Sequence, residues 1–142
     1  MLFRSTGPYL QYAVVRANNI FNKLREREGR TADDVVATLD SAASDELLAD
    51  GEGEGGSLWA VMLEASRLDE VVEQVVRSVE FAGLAKYAFG LAQQFNAFYH
   101  RYPILGEEAA DRKAWRAAGV AYVRDQLTRA LDLMGIDVPA RM

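Results

Sequence analysis

The sequence predicts an all-α protein, an antiparallel bundle of about five helices with one long acidic loop. Three observations lead there. Apolar residues recur at three- and four-residue spacing over most of the chain instead of alternating. Gly29, Pro103 and Gly135 punctuate those periodic runs where helices should stop. Half of the 142 residues are hydrophobic, enough to give one domain of ordinary size a core of its own.

In chain order, Ser5-Thr6-Gly7-Pro8 reads as a helix start, with capping hydroxyls and a proline suited to the first turn. Leu10, Ala13, Val14, Ala17, Phe21 and Leu24 then lie on one face, so a helix is expected over 8–28. Thr31-Ala32-Asp33-Asp34 suits the start of a short helix carrying Val35, Val36 and Leu39. Residues 30–56 as a whole read as an acidic, flexible insertion within the domain, most plainly at Asp50-Gly51-Glu52-Gly53-Glu54-Gly55-Gly56. An EF-hand is excluded there, because the spaced ligands and terminal glutamate are absent. Ser57 caps a helix with Leu58, Val61, Met62 and Leu63. Asp69 caps another, with Val71, Val72, Val75, Val76 and Val79 on its apolar side. A stripe from Leu84 through Ala88, Leu91, Ala92, Phe95, Phe98 and Tyr99 to Tyr102 predicts a helix over 81–101, ended by Pro103. The last helix is expected over 107–134, with Glu107, Glu108 and Asp111 suiting its dipole. Gly135 followed by Ile136 reads as its left-handed C-cap.

The formal charge of -5 is unevenly spread: eight of the 21 acids fall in residues 31–56, which hold no Lys or Arg, leaving 13 acids against 16 bases elsewhere. A mildly basic body therefore carries one acidic segment, and net charge does not argue against a nucleic-acid partner. Cysteine is absent, so neither disulfides nor thiolate metal sites arise, and a cytoplasmic location is expected. No apolar run reaches the roughly 20 residues of a membrane helix, and no signal peptide opens the chain.

Catalytic groups are missing. The one histidine, His100, has no triad partners nearby and excludes a multi-histidine metal site by count. There is no Glu-x-x-His pair, dinucleotide-binding glycine motif or phosphate-binding Gly-Lys-Ser/Thr loop. The chain alone is expected to be non-catalytic, with no metal and no cofactor.

Three segments carry a family resemblance. Gly7-Pro8-Tyr9-Leu10-Gln11-Tyr12-Ala13 is followed by Arg16. Leu84-Ala85-Lys86-Tyr87 leads through Leu91-Ala92 to Phe95-Asn96-Ala97-Phe98-Tyr99. Leu133-Met134-Gly135-Ile136 precedes Pro139 and Arg141-Met142. In this order and spacing they resemble the C-terminal anticodon-binding domain of arginyl-tRNA synthetases, the DALR domain. The resemblance covers nearly the whole chain except 31–56. It implies a fragment of an ATP-dependent ligase, because the family's nucleotide-binding signatures, of the His-Ile-Gly-His and Lys-Met-Ser-Lys-Ser types, do not occur here. It implies arginine tRNA and the catalytic domain of the same enzyme as partners, a monomer, and ATP and Mg only for that catalytic domain.

All arginine codons have G in the middle, so arginine tRNAs share a middle anticodon cytosine. A protein reads such a base by unstacking it, covering it and satisfying its polar edge. The resemblance implies that Arg16 donates to the base. Tyr99 stacks on it or orders the loop, and Met142 supplies a soft apolar contact or its terminal carboxylate. Tyr12, Asn96 and His100 are neighbouring candidates, and Gln11 and Tyr12 line the same groove. Arg112, Lys113 and Arg116 are candidate phosphate contacts, with Lys23, Arg25, Arg27 and Arg124 beside them. Plainer readings stand next to these. Arg16 snorkels along its helix, Tyr99 belongs to the core stripe, Met142 is a frayed end, and the charged faces are merely solvated. Two other classes stay open, a stand-alone helical module docking a protein partner and a tRNA-binding accessory protein.

Overall fold

The computed structural model describes residues 2–39, 41–49 and 53–142, and side chains from residue 7 onward except at 41–43. Among the described residues the chain forms seven helices and no strand: α1 (Leu2–Glu28), α2 (Ala32–Val36), α3 (Ser41–Ala49), α4 (Glu54–Ser66), α5 (Leu68–Ser78), α6 (Ala82–Arg101) and α7 (Ala110–Leu133). The all-α bundle expected from periodicity is observed, though its helices are not the expected five or so, and α3 is one the sequence did not place.

α7 is the axis of the bundle. It packs against α1, α2, α3, α4 and α6, and it buries residues around most of its circumference, from Ala114 and Trp115 to Ala130 and Leu131. Glycine lets α4 come close: a Cβ on Gly119 would lie 2.5 Å from a methyl of Leu58, itself fully buried. The predicted stripe of α1 is buried as expected, with Leu10, Ala13, Val14, Ala17, Phe21 and Leu24 all in the core. The helix starts earlier than residue 8, however, and Pro8 sits inside it. Proline's fixed φ is compatible with a helix, but it removes one hydrogen bond to the preceding turn and its ring crowds the carbonyl four residues back. Gly29 (φ 64°) ends α1 as expected, its N–H donating to the Arg25 carbonyl at 2.8 Å.

α6 buries its aromatic stripe, including Phe95, Phe98 and Tyr99, against α1, α4 and α7. α5 departs from expectation. It buries Leu68, Val71 and Val75, but Val76 and Val79 are exposed, because only one row of the valine pairs faces α6. α7 closes with the expected cap. Gly135 (φ 73°) donates to Asp132 at 3.0 Å and Ile136 to Leu131 at 2.9 Å, the two crossed bonds of a Schellman motif.

The acidic segment is the largest correction. Its described residues form α2, the short helix expected after Thr31, and also α3 and the start of α4, where a loop was expected. Thr31 and Asp34 make a reciprocal capping box. The Thr31 backbone and hydroxyl bonds hold the Asp34 carboxyl below its usual pKa. Val35 is buried in the core. Gly55 approaches the Leu47 carbonyl so closely that a Cβ there would sit 1.8 Å from it. Composition suggested a solvated connector because the compensation of its acids is not local. Glu54 is buried against Arg116, 62 residues away. The expected loop positions Asp50, Gly51 and Glu52 lie outside the described residues. Among those that are described, no helix is long and apolar enough to cross a membrane.

Candidate nucleic-acid interface

Tyr12, Arg16, Asn19, Ile20 and Lys23 recur at helical spacing along one side of α1. The end of α6 brings Tyr99 beside them, the α6–α7 loop adds Leu105, and the C-terminal tail adds Met142. Together with Val15 they line a groove of about 300 Å³.

Arg16 is held from behind. Its Nη1 donates to Asn96 Oδ1 at 3.3 Å, and its guanidinium carbon lies 5.5 Å from the Tyr99 ring centroid. Asn96 in turn donates to the Tyr9 hydroxyl at 3.0 Å, and Tyr9 packs on Phe89 at 4.9 Å. With one nitrogen bonded and the ring beneath it, the guanidinium is oriented, and among the described residues its Nε and Nη2 have no hydrogen-bond partner. Tyr99 is only 8% exposed. Phe95 meets it edge-on at 6.2 Å, and its hydroxyl accepts the Ile104 N–H at 3.3 Å. It therefore orders the loop that carries Leu105, while Tyr12, 52% exposed, presents the free aromatic ring.

Two further devices hold the walls. Arg116 donates to the Pro103 carbonyl at 2.6 Å and pairs with Glu107 at 2.9 Å, fixing the α6–α7 loop from below. Burial opposes its charge, but the hydrogen bonds and charges of Glu54 and Glu107 outweigh burial and keep its pKa above the ordinary value. On the tail side, Gln11 donates to the Asp137 carbonyl at 2.7 Å. Ile136 and Val138 pack on the core, so the tail runs along α1 and places Met142 at the groove.

The structure thus brings together Tyr12, Arg16, Tyr99 and Met142, with Asn96 one contact behind. His100 is exposed on α6 and does not line the groove, because one residue turns the helix by about 100° from Tyr99. The phosphate assignment of Lys113 and Arg116 is corrected. Lys113 is paired with Glu28, and Arg116 with Glu54 and Glu107, both arginine and lysine being buried. Only Arg112 of that trio is exposed. Lys23 is an exposed cation that lines the groove, and Arg25 and Arg27 are exposed further along α1. Asn19, Ile20 and Leu105 were not expected. The first two share the helical register of Arg16, a signal available in the sequence; Leu105 reaches the site through the loop and carries no such signal. Among the described residues no group of three or more His, Asp or Glu side chains is placed to hold a metal.

A family model described as the DALR anticodon binding domain matches residues 10–142. Arginine–tRNA ligases are similar over almost the whole chain. The protein of Hyphomonas neptunium is 37% identical over 139 residues, 96% of this chain and 20% of that protein. That of Bacteroides fragilis is 33% identical, covering 97% of this chain and 21% of the relative. That of Cutibacterium acnes is 36% identical over 147 residues, covering 96% and 24%. The chain therefore spans about a fifth to a quarter of the length of these relatives. On the match over residues 10–142, it belongs to the DALR anticodon-binding domain family.

Proposed function

We propose that the Arg16 groove reads the middle anticodon cytosine of arginine tRNA and so presents the tRNA to the catalytic domain of an arginine–tRNA ligase. The observation that carries this reading is the Arg16 guanidinium. It is oriented by Asn96 and the Tyr99 ring, and it faces a groove walled by an exposed tyrosine and a methionine. A cytosine placed there accepts at O2 and N3 from the free guanidinium nitrogens, and Tyr12 supplies the stacking face. Met142 covers the base with a polarizable side chain. Lys23 at the rim and Arg25 and Arg27 beyond it suit the sugar-phosphate chain. Arg112 and Arg124 are the remaining phosphate candidates on α7. In this role Tyr99 is a positioning residue that holds Arg16 and the Leu105 loop. We read the protein as a monomer acting in the cytoplasm, with ATP and Mg used by the catalytic domain.

The test is binding of the 142-residue chain to the arginine anticodon stem-loop and to one altered only at the middle base. Arg16→Lys keeps the charge but loses the planar fork. It should remove most of the preference for cytosine, worth about 1–3 kcal/mol, while leaving the salt dependence unchanged. An unaltered preference would place the reading site elsewhere.

A further inference from the structure

Tyr9 and Arg16 lie seven residues apart on α1, two turns and about 10 Å of rise along one face of the helix. Asn96 of α6 bridges them. Its Oδ1 accepts from Arg16 Nη1 at 3.3 Å, and its Nδ2 donates to the Tyr9 hydroxyl at 3.0 Å. These are the hydrogen-bond partners of the amide among the described residues. The bond to Tyr9 is the shorter, so the amide is held more firmly by the phenol than by the arginine it orients. The phenol is itself fixed. Its ring is part-buried and packs on Phe89, which precedes Asn96 by two turns of α6, with centroids 4.9 Å apart. Tyr9 does not line the groove.

The polarity of this chain of bonds is set at the arginine. A guanidinium only donates, so Asn96 must turn its oxygen to Arg16 and its NH2 group to Tyr9, and the tyrosine hydroxyl must accept. Two effects then run from Tyr9 to Arg16. Loss of the hydroxyl leaves the part-buried NH2 group without that acceptor, free to rotate toward water and to carry Oδ1 off the guanidinium. An amide that donates through its nitrogen is also the stronger acceptor at its oxygen, because linked hydrogen bonds polarise one another. We propose that Tyr9 is a positioning residue for recognition of the middle anticodon base: through Asn96 it holds the Arg16 guanidinium in the orientation that reads the base, without touching the RNA. This rests on the groove reading given above.

The experiment measures dissociation constants of the 142-residue chain for the arginine anticodon stem-loop and for one altered only at the middle base. Their ratio is the preference for cytosine. Tyr9→Phe removes one oxygen and keeps the ring on Phe89, so the melting temperature should fall little. The preference should nevertheless drop about threefold to tenfold, the worth of one neutral hydrogen bond, with the salt dependence unaltered because no charge has changed. Asn96→Ala should lower the preference at least as much. Adding Tyr9→Phe to it should lower the preference no further, since the phenol then has no amide to act through. If Tyr9→Phe leaves the preference intact while Arg16→Lys removes it, the positioning role is overturned and the groove reading stands. An equal loss from Tyr9→Phe with and without the Asn96 amide also overturns the role, and marks a direct contact with the RNA or a general effect on folding. If Arg16→Lys leaves the preference intact, or the hairpin does not bind at all, the groove reading fails and the role of Tyr9 with it.

Discussion

Glu54 and Arg116 meet in the interior across 62 residues of sequence, with Nε and Nη2 of the arginine donating to the two carboxylate oxygens, the second at 2.9 Å. A two-pronged pair of this kind is strong when complete and costly when halved. Arg116→Ala should therefore act on folding, destabilising the protein by about 3–5 kcal/mol, because it strands Glu54 and Glu107. Urea unfolding measures this. An unchanged midpoint combined with weaker RNA binding would restore Arg116 to the phosphate-contacting role the structure denies it. Deleting residues 50–56 should be as damaging, since it removes Glu54 and the Gly55 contact with α3.

Gly119 gives a prediction whose sign depends on its neighbour. Alanine is the better helix former by about 1 kcal/mol, but here its methyl would collide with the Leu58 side chain. Overpacking of this kind costs about 1–3 kcal/mol. Gly119→Ala should lower the melting temperature in the unaltered chain and raise it in a Leu58→Ala background, where the methyl fills the space. The same sign in both backgrounds would mean that α4 and α7 are not locked by this contact.

Val79 holds a φ of 57° at the end of α5, with its side chain 68% exposed. A β-branched residue in this region is strained, by roughly 1–2 kcal/mol, and exposure recovers none of it through packing. Val79→Gly should therefore stabilise the protein by about 1 kcal/mol despite the added freedom of the unfolded chain. Thermal melting decides it, and a loss of stability would show that Val79 makes a contact that matters.

The bond from Gln11 to the Asp137 carbonyl ties the tail to α1. Gln11→Ala should cost about 1 kcal/mol or less of global stability, yet hydrogen exchange at the amides after Ile136 should speed up and anticodon stem-loop affinity should fall. Were exchange in the tail unaltered, the Ile136 and Val138 contacts alone would be holding it.

Much of this was readable where the determinants are local. α1, α6 and the Gly135 cap follow from spacing and punctuation, and Tyr12, Arg16 and Met142 from the resemblance, with the register of α1 able to add Asn19, Ile20 and Lys23. Charge was the misleading signal. Sequence shows that Glu54, Lys113 and Arg116 are ionisable residues, but their burial depends on partners 62 and 85 residues distant. Without those partners in view, Glu54 reads as part of a loop and Arg116 as a surface anchor. Leu105 reaches the groove only because Tyr99 and Arg116 fix the loop that bears it.

The draped tail also makes assembly of the groove and its occupation two faces of a single equilibrium. Whatever binds against Met142 favours the attached tail over the detached one, by an amount that grows with the logarithm of ligand concentration. Anything that loosens the tail, even at Gln11 on the far side of the helix, then lowers the apparent affinity in proportion to the fraction of molecules whose tail stays attached. Recognition in this domain is thus partly a wager on the last turn of backbone staying down.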